Sequence, residues 1–266
     1  MEIPTWIQSD LRSVENTKHF TEEQMLSCLK AGERLDDLLR DGYRIIQNPE
    51  KFCFGVDAVF LTDFVPEIGT GCRVLDLGTG NGILPILLCA KGKGGSFTGL
   101  EIQEEMAEMA TRSVLINGMC PKIDIVQGDI REASALFGRG TYDCVVSNPP
   151  YMKTQGAIVN ENPAKSIARH EILLTLEDVI REAAAVLKTR GYFYIIHRPN
   201  RLTELISLMH EYRIEPQRIR FVHPYVDKGA NMVMVEGRKD CQAFLKVEQP
   251  LIVYDKDTGR LIPDHN

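Results

Sequence analysis

The sequence lacks the features that mark secreted, membrane-spanning or zinc-binding proteins. Its longest uninterrupted apolar run, Ile83 to Ala90, is far shorter than the roughly 20 residues that cross a bilayer. Its first residues have neither the basic start nor the apolar core of a signal peptide. Seven cysteines, an odd number with no C-x-x-C pair, argue against a disulfide framework and against a zinc site. We therefore expect a cytoplasmic protein with reduced thiols and no metal.

The sequence also lacks an excess of positive charge. Lys and Arg number 31 against 37 Asp and Glu, which gives a formal net charge of −6. A molecule of this charge should not attract nucleic acid as a whole, although a local basic face can still bind phosphates. Charge balance alone favours a small-molecule or protein substrate. The hydrophobic content of 44% is ordinary, and a chain of 266 residues can bury a large core.

What is present is an alternation of strand-like and helix-like segments. Seven short apolar segments typical of strands alternate with amphipathic segments typical of helices. This order predicts an α/β, Rossmann-like fold with a seven-stranded, mostly parallel sheet and an antiparallel edge. The expected organisation is an N-terminal extension over residues 1–71, with a hairpin at an Asp-Gly turn and a helix, the sheet domain over 72–256, and a tail over 257–266.

A polar motif, Ser147-Asn148-Pro149-Pro150-Tyr151, follows the fourth predicted strand. Two prolines end a strand abruptly, and ligands of open α/β sheets bind at the carboxyl ends of the strands. The Asn148 amide oxygen and the Pro149 carbonyl are two acceptors, and Tyr151 offers a flat ring. This set suits a planar amine on an sp2 carbon, although Asn-Pro is also ordinary in turns at strand ends.

A glycine-rich turn follows the first predicted strand, in Asp76-Leu-Gly78-Thr-Gly80-Asn-Gly82. Glycine lets a backbone approach a ligand closely, and the helix that follows offers its N-terminus. The spacing is G-x-G-x-G, whereas dinucleotide sites have G-x-G-x-x-G. Because Asp76 would repel a pyrophosphate but tolerate the ammonium and sulfonium of S-adenosylmethionine, we expect that cofactor and not NAD.

Two further acidic residues end the second and third predicted strands. Glu101 lies about twenty residues after the glycines, a position that can hold both hydroxyls of a ribose. Asp129 ends the third strand and is expected to be free to accept from an adenine amino group. Either acid alone could be a solvated loop residue. Three acidic strand ends in register, with Asp76 as the first, favour a common binding site.

Two other segments are candidates that have a plain structural alternative. Asp57, two residues after Gly55, either lies near a cofactor or caps a helix. The segment from Met152 to His170 has no periodicity, and loops of that length are usually functional or disordered. Its basic side chains either bind substrate or are solvated: Lys153, Lys165, Arg169 and His170. Basic residues after later strand ends could extend such a patch: Arg198, Arg201 and Lys228.

The chain resembles class I S-adenosylmethionine-dependent N-methyltransferases in an ordered set of motifs, which are Asp76-Leu-Gly-Thr-Gly-Asn-Gly, Glu101, Asp129 and Asn148-Pro-Pro-Tyr. Its flanking segments are similar to those of the tRNA1(Val) adenine-37 N6-methyltransferase family. These segments are Arg34-Leu-Asp-Asp-Leu, Phe54-Gly-Val-Asp-Ala-Val, Ala168-Arg-His-Glu, Glu236-Gly-Arg-Lys and Pro250-Leu-Ile-Val-Tyr. The resemblance covers about residues 32–256.

The resemblance implies a class I methyltransferase sheet, S-adenosylmethionine as cofactor and a tRNA substrate that is methylated on N6 of an anticodon-loop adenine. For the cofactor, it implies that Asp76, Gly78, Gly80 and Gly82 bind the methionine end, Glu101 the ribose and Asp129 the adenine, with Asp57 nearby. For the substrate, it implies that Asn148 and Pro149, with Pro150, bind the target amine. Tyr151 would stack on the base.

Three alternatives remain beside a tRNA methyltransferase. Protein-glutamine and rRNA N-methyltransferases share the Asn-Pro-Pro-Tyr motif, and a cofactor-binding module without catalysis would share the glycine turn. Peptide-glutamine enzymes usually carry Arg-Pro-x-Thr-Glu where this chain has Phe54-Gly-Val-Asp57, which counts against a peptide substrate. The intact motif from Asn148 to Tyr151 counts against a module without catalysis.

Overall fold

The computed structural model describes residues 20–51, 53, 55–151 and 174–262. Its first elements are helix α1 (Glu22–Ser27) and a hairpin of strands β1 (Arg34–Asp37) and β2 (Arg44–Gln47). Thr21 and Gln24 form a capping box at the start of α1. Asp41 and Gly42 both have positive φ in the hairpin turn, the conformation that a tight turn between antiparallel strands requires. The hairpin confirms the prediction from the Asp-Gly pair.

Nine strands form a single sheet within the described part of the chain. Seven of them are long: β3 (Arg73–Leu77), β4 (Ser96–Glu101), β5 (Ile123–Gln127), β6 (Tyr142–Ser147), β7 (Leu187–His197), β8 (Ile214–His223) and β9 (Met232–Lys239). Two are short: β10 (Lys246–Val247) and β11 (Leu251–Ile252). The order across the sheet is β10-β8-β9-β7-β6-β3-β4-β5, and β11 also pairs with β8.

The sheet is mostly parallel, as predicted. Strands β3 to β7 pair in parallel, whereas β9 runs antiparallel to both β7 and β8. The antiparallel strand therefore lies one position in from β8 rather than at the outer edge of the sheet. β8 and β9 are antiparallel because residues 224–231 are too few for the crossover that a parallel pair needs. The short strands β10 and β11 extend the sheet beyond β8.

Helices cover both faces of the sheet, and the core forms two layers. After α1 they are α2 (Val56–Phe64), α3 (Ile83–Ala90), α4 (Glu104–Ile116), α5 (Ala133–Phe137), α6 (Leu176–Val186) and α7 (Leu202–Glu211). Successive residues of a strand enter opposite layers, since side chains alternate across a sheet. Val74 packs in the layer with α2 and α3, and Leu75 packs in the layer with α6 and α7. No helix in the described ranges has the length and apolar character that a bilayer span requires.

The hairpin packs on the outer face of α4. The Ile46 N–H donates to Ser113 Oγ at 3.1 Å, and the Arg44 N–H donates to Asn117 Oδ1 at 2.9 Å. The Arg112 guanidinium on α4 binds Glu33, just before the hairpin, and Glu108 on α4 itself. A buried apolar cluster seals the contact between the hairpin and α4: Cys28, Ile46, Met106, Met109, Leu115 and Ile116. The helix that follows β4 is thereby held between the sheet and the N-terminal segment.

Candidate active site

A cavity of about 370 Å³ lies at the carboxyl ends of the central strands. The chain leaves β3 toward β4 on one side and returns to β6 on the other, and this reversal opens a crevice at the strand ends. The cavity brings together most of the predicted site residues: Asp57, Gly78, Gly80, Glu101, Asp129, Asn148, Pro149, Pro150 and Tyr151. The four predicted substrate-binding residues lie outside the described ranges: Lys153, Lys165, Arg169 and His170.

The glycine turn after β3 takes a backbone conformation that side chains disfavour. Gly78, Gly80 and Gly82 have φ values of 81°, 57° and 85°, in the left-handed region that glycine enters without strain. The N–H groups of Gly78 and Thr79 both donate to the Leu100 carbonyl at 3.0 Å. These bonds fold the turn back over β4, so that its backbone forms one wall of the cavity.

Gly82 lies outside the cavity wall. It begins α3 as the N-cap residue, and a Cβ at this position would lie 3.3 Å from Ala110 Cβ on α4. Its glycine is therefore explained by the close approach of the turn to α4. Its predicted contact with a cofactor remains a prediction.

Asp76 lies beneath the glycine turn and not in the cavity wall. It pairs with Gly99 and Val146 in the sheet, is 1% exposed, and neither carboxylate oxygen accepts a hydrogen bond from a described residue. Burial raises the pKa of Asp76 to about 7, and the charge of Glu101 adds to the rise. The Thr79 hydroxyl acts in the opposite direction but lies outside hydrogen-bond geometry. A buried acid with a strongly raised pKa beside a cavity is typical of a functional site.

Glu101 is fixed by two backbone donors at the end of β4. Its Oε2 accepts from the Gly80 N–H and its Oε1 from the Gln103 N–H, both at 2.9 Å. The side chain is 6% exposed and still lines the cavity. The first bond joins the acid to the glycine turn, so the two predicted motifs form one structural unit.

Asp129 is not free, which corrects the expectation from the sequence. Its carboxylate accepts from Arg131 Nε at 2.9 and 3.0 Å and also binds the Arg131 Nη2 group. It also accepts from the Arg131 backbone N–H, as the cap of a short 3-10 turn. Asp129 is the N-cap residue and has an extended backbone, so its carboxylate folds back over the first turn, where Arg131 lies. An incoming amino group must share this carboxylate with a guanidinium.

Tyr151 is held by its hydroxyl group at the end of β6. The phenol oxygen lies 2.7 Å from Asp57 Oδ2 and 2.6 Å from Asn148 Oδ1. Asp57 stands in the first turn of α2, so a side chain about ninety residues away reaches the motif. Burial raises the pKa of the Tyr151 phenol, and the Asp57 carboxylate raises it further. The phenol therefore keeps its proton at neutral pH.

Two residues at the end of β7 contact the Tyr151 ring. Arg198 Cζ lies 4.8 Å from the ring centroid, within the range of a cation–π contact. The His197 ring meets it edge-on, with centroids 5.3 Å apart and planes at 66°. His197 Nδ1 accepts from the Arg198 N–H at 2.8 Å, and burial lowers the His197 pKa to about 4. The sequence analysis missed His197, although the rule that found Asn148 applies equally to the end of the neighbouring strand.

A second cavity, of about 260 Å³, lies on the other side of Pro149 and Pro150. It shares these prolines and Leu174 with the first cavity. Arg201 and Glu204 line it and form an ion pair with each other. Within the described ranges, no group of three or more His, Cys, Asp or Glu side chains is arranged to hold a metal ion.

Comparison with known proteins identifies the family. A family model described as a methyltransferase domain matches residues 68–233, more than half of the chain. A tRNA1(Val) (adenine(37)-N6)-methyltransferase from Porphyromonas gingivalis is 30% identical over 189 residues, which cover 69% of this chain and 73% of that protein. The chain is a member of this methyltransferase family.

Two further comparisons agree that the chain belongs to the methyltransferase family. A protein of the same name from Aeromonas salmonicida is 25% identical over 182 residues, which cover 68% of this chain and 74% of that protein. Among solved structures, a predicted O-methyltransferase from Agrobacterium tumefaciens matches with a TM-score of 0.63 at 25% identity, covering 78% of this chain and 92% of that one. The family and the mixed α/β sheet expected from the sequence are both confirmed.

Proposed function

We propose that this methyltransferase transfers a methyl group from S-adenosylmethionine to N6 of an adenine in the anticodon loop of a tRNA. One observation carries the proposal. The Asn148-Pro149-Pro150-Tyr151 motif and the glycine turn with Glu101 line the same cavity, which supports an amine site and a nucleoside site side by side. The names of the relatives supply the nucleotide and the RNA.

The residues of the cavity fit S-adenosylmethionine better than a dinucleotide. Glu101 lines the wall, and its carboxylate repels a pyrophosphate but attracts a cation. Buried Asp76 adds to this effect in its ionised form. The Arg131 guanidinium in the wall is paired with Asp129, which reduces its attraction for phosphate. When bound, the cofactor would supply an electrophilic methyl group on a positively charged sulfur, which would leave as a neutral thioether as its bond to that methyl breaks. Glu101 is then placed to bind the ribose hydroxyls.

Asn148 and Pro149 orient the amine. The lone pair of an adenine N6 is delocalised into the ring, which makes it a poor nucleophile. Two oxygen acceptors on its N–H bonds hold the nitrogen in place and stabilise the positive charge that develops there as the new N–C bond forms. The methylated nitrogen then loses its extra proton to solvent. A general base is not required, because acidity rises as positive charge builds on the nitrogen.

RNA binding by an acidic protein requires local positive charge near the amine site. Arg198 lies on the Tyr151 ring and Arg201 lines the adjoining cavity. Lys165 and Arg169, just after the motif in sequence, are proposed to extend this basic surface. A base turned out of a folded loop exposes its faces, and stacking on Tyr151 offsets part of the cost. A tRNA substrate would also support the expected cytoplasmic location of the enzyme.

The test is a comparison of acceptors. Purified protein and methyl-labelled S-adenosylmethionine are incubated together in three reactions. The acceptors are unmodified total tRNA, rRNA and a peptide-chain release factor. We expect label in tRNA alone, recovered as N6-methyladenosine after nucleoside digestion, and no incorporation by Asn148→Ala. Label in a glutamine of the release factor, or in rRNA without tRNA, would overturn the proposal in favour of one of the two alternative substrates.

A further inference from the structure

The hydroxyl of Tyr151 has one proton and two apparent acceptors. Asp57 Oδ2 lies 2.7 Å from the phenol oxygen, and Asn148 Oδ1 lies 2.6 Å from it. A phenol can donate only once, although it can also accept. Two oxygen atoms at such distances cannot both receive that proton in good geometry. In one of the two contacts, therefore, the phenol oxygen must accept a hydrogen bond that its partner donates.

The Asn148 amide resolves the conflict by presenting its nitrogen. Rotation of the amide by half a turn exchanges oxygen and NH2 with almost no change of shape. Tyr151 then donates to the Asp57 carboxylate, the stronger acceptor because it is charged, and accepts from Asn148 Nδ2. Each of the two contacts then has one donor and one acceptor. The Asn148 oxygen is turned away from Tyr151.

We infer that Asp57 and the Tyr151 hydroxyl are positioning residues that set the direction of the Asn148 amide, so that its oxygen faces the target amine. The inference rests on the proposed function, in which Asn148 accepts an N–H of the substrate. Asp57 fixes the direction of the Tyr151 O–H bond. That direction leaves only an acceptor lone pair for Asn148, which selects its NH2 group. Asp57 thus acts, through Tyr151, on the side of the cavity that binds the substrate.

The surroundings hold this relay rigidly. Asp57 Oδ1 also accepts from the Ala58 N–H at 3.0 Å, and a Cβ on Gly55 would lie 2.7 Å from the same oxygen. Glycine at position 55 therefore leaves room for the Asp57 carboxylate. Arg198 on one face of the Tyr151 ring and His197 at its edge restrict the ring. The relay joins the first turn of α2 to the ends of β6 and β7.

The kinetic test is a double-mutant cycle of Asp57→Ala and Tyr151→Phe. Each change should lower kcat by about 10- to 100-fold, the cost of a misdirected acceptor, while KM for the substrate and the affinity for S-adenosylmethionine change less than about 2-fold. The double variant should be no slower than Tyr151→Phe alone, because both changes break the same relay. Asp63→Asn is the matched control, since Asp63 lies on the same helix and pairs with Lys91 outside the cavity. Additive losses in the double variant would overturn the inference.

A second readout does not depend on activity or on the identity of the acceptor. The side-chain NH2 signals of Asn148 are assigned in nitrogen-15 spectra by their loss in Asn148→Asp. We expect one of the two protons to be shifted by its hydrogen bond, and to move toward the value of a solvated amide in Tyr151→Phe and Asp57→Ala but not in Asp63→Asn. Unchanged signals in Tyr151→Phe would overturn the relay even in an active enzyme. Changed signals in a protein that methylates no RNA would instead count against the proposed function alone.

Discussion

The two walls of the cavity are built in different ways. On the cofactor side, the glycine turn is bonded to the next strand by backbone groups, through Leu100 and Glu101. On the amine side, side chains from three distant segments meet at one ring, with Asp57, Tyr151 and Arg198 as their members. A wall made of backbone depends on glycine spacing and turn conformation. A wall made of side chains depends on the tertiary fold. Single substitutions in one wall should therefore change turnover and those in the other should change cofactor affinity.

The largest expected effect is on the amine side. Asn148→Ala should lower kcat by roughly 100-fold or more, because it removes an acceptor that acts mainly as charge develops in the transition state. Steady-state kinetics and calorimetry on the same variant should show that the Kd for S-adenosylmethionine changes little. A variant within a few-fold of the wild-type kcat would show that Asn148 does not orient the amine.

The second effect is on the cofactor side. Glu101→Ala should weaken S-adenosylmethionine binding by about 1–3 kcal/mol, because the ribose hydroxyls and the Gly80 N–H lose a buried acceptor. Calorimetry measures this directly, and saturating cofactor should restore most of kcat. Glu101→Gln, which keeps one oxygen acceptor, is the control and should fall between the two. Equal affinity in the wild type and in Glu101→Ala would disprove the ribose assignment.

The third effect is on stability and depends on pH. The raised pKa of Asp76, about 7 against an ordinary value of 3.8, means that the folded protein holds a proton that the unfolded chain releases. Stability should therefore fall as pH rises from about 4 to about 7, and about 2 kcal/mol of the loss between pH 5 and pH 7 should come from this group. Denaturant melts of the wild type and of Asp76→Asn measure it. The variant should lack this part of the slope, and parallel slopes would contradict the assignment.

The smallest effect concerns the RNA. Arg198→Ala should raise the KM for tRNA about 2- to 5-fold, since an exposed cation–π or phosphate contact contributes about 0.5–1 kcal/mol. The salt dependence of tRNA binding should become shallower by about one ion. Arg198→Lys keeps the charge and should keep the salt slope. Replacing both Lys165 and Arg169 should make the salt dependence of tRNA binding shallower still. An unchanged salt dependence in that double variant would show that this segment does not contact the RNA.

Much of the fold was predictable because its signals are local. The Asp-Gly pair predicted the hairpin, and the alternation of apolar segments predicted the seven long strands of the sheet. The place of β9 inside the sheet was not predictable in the same way. It depends on which strands pair across long separations, and hydrophobic patterns do not encode pairing partners.

The site was predictable where a strand end decides the position. Glu101, Asn148 and Tyr151 line the cavity as expected, because the carboxyl ends of parallel strands share one edge. The pairing of Asp129 with Arg131 was missed, since it depends on the side-chain geometry of a short turn. The contact between Asp57 and Tyr151 joins a helix to a distant loop, and no spacing rule relates two such positions.

The packing of the hairpin on α4 has a consequence for dividing the chain. The matched methyltransferase domain begins at residue 68, which suggests a fragment that starts there. Such a fragment would expose Met109 and Ile116, which pack with Ile46 and Cys28 in one buried cluster. Arg112 would lose Glu33 and keep Glu108 as its carboxylate partner. The fragment would also lose α2, whose Leu61 is fully buried. The first residue of the matched domain is therefore a poor place to truncate the chain, because the exposed apolar surface favours aggregation.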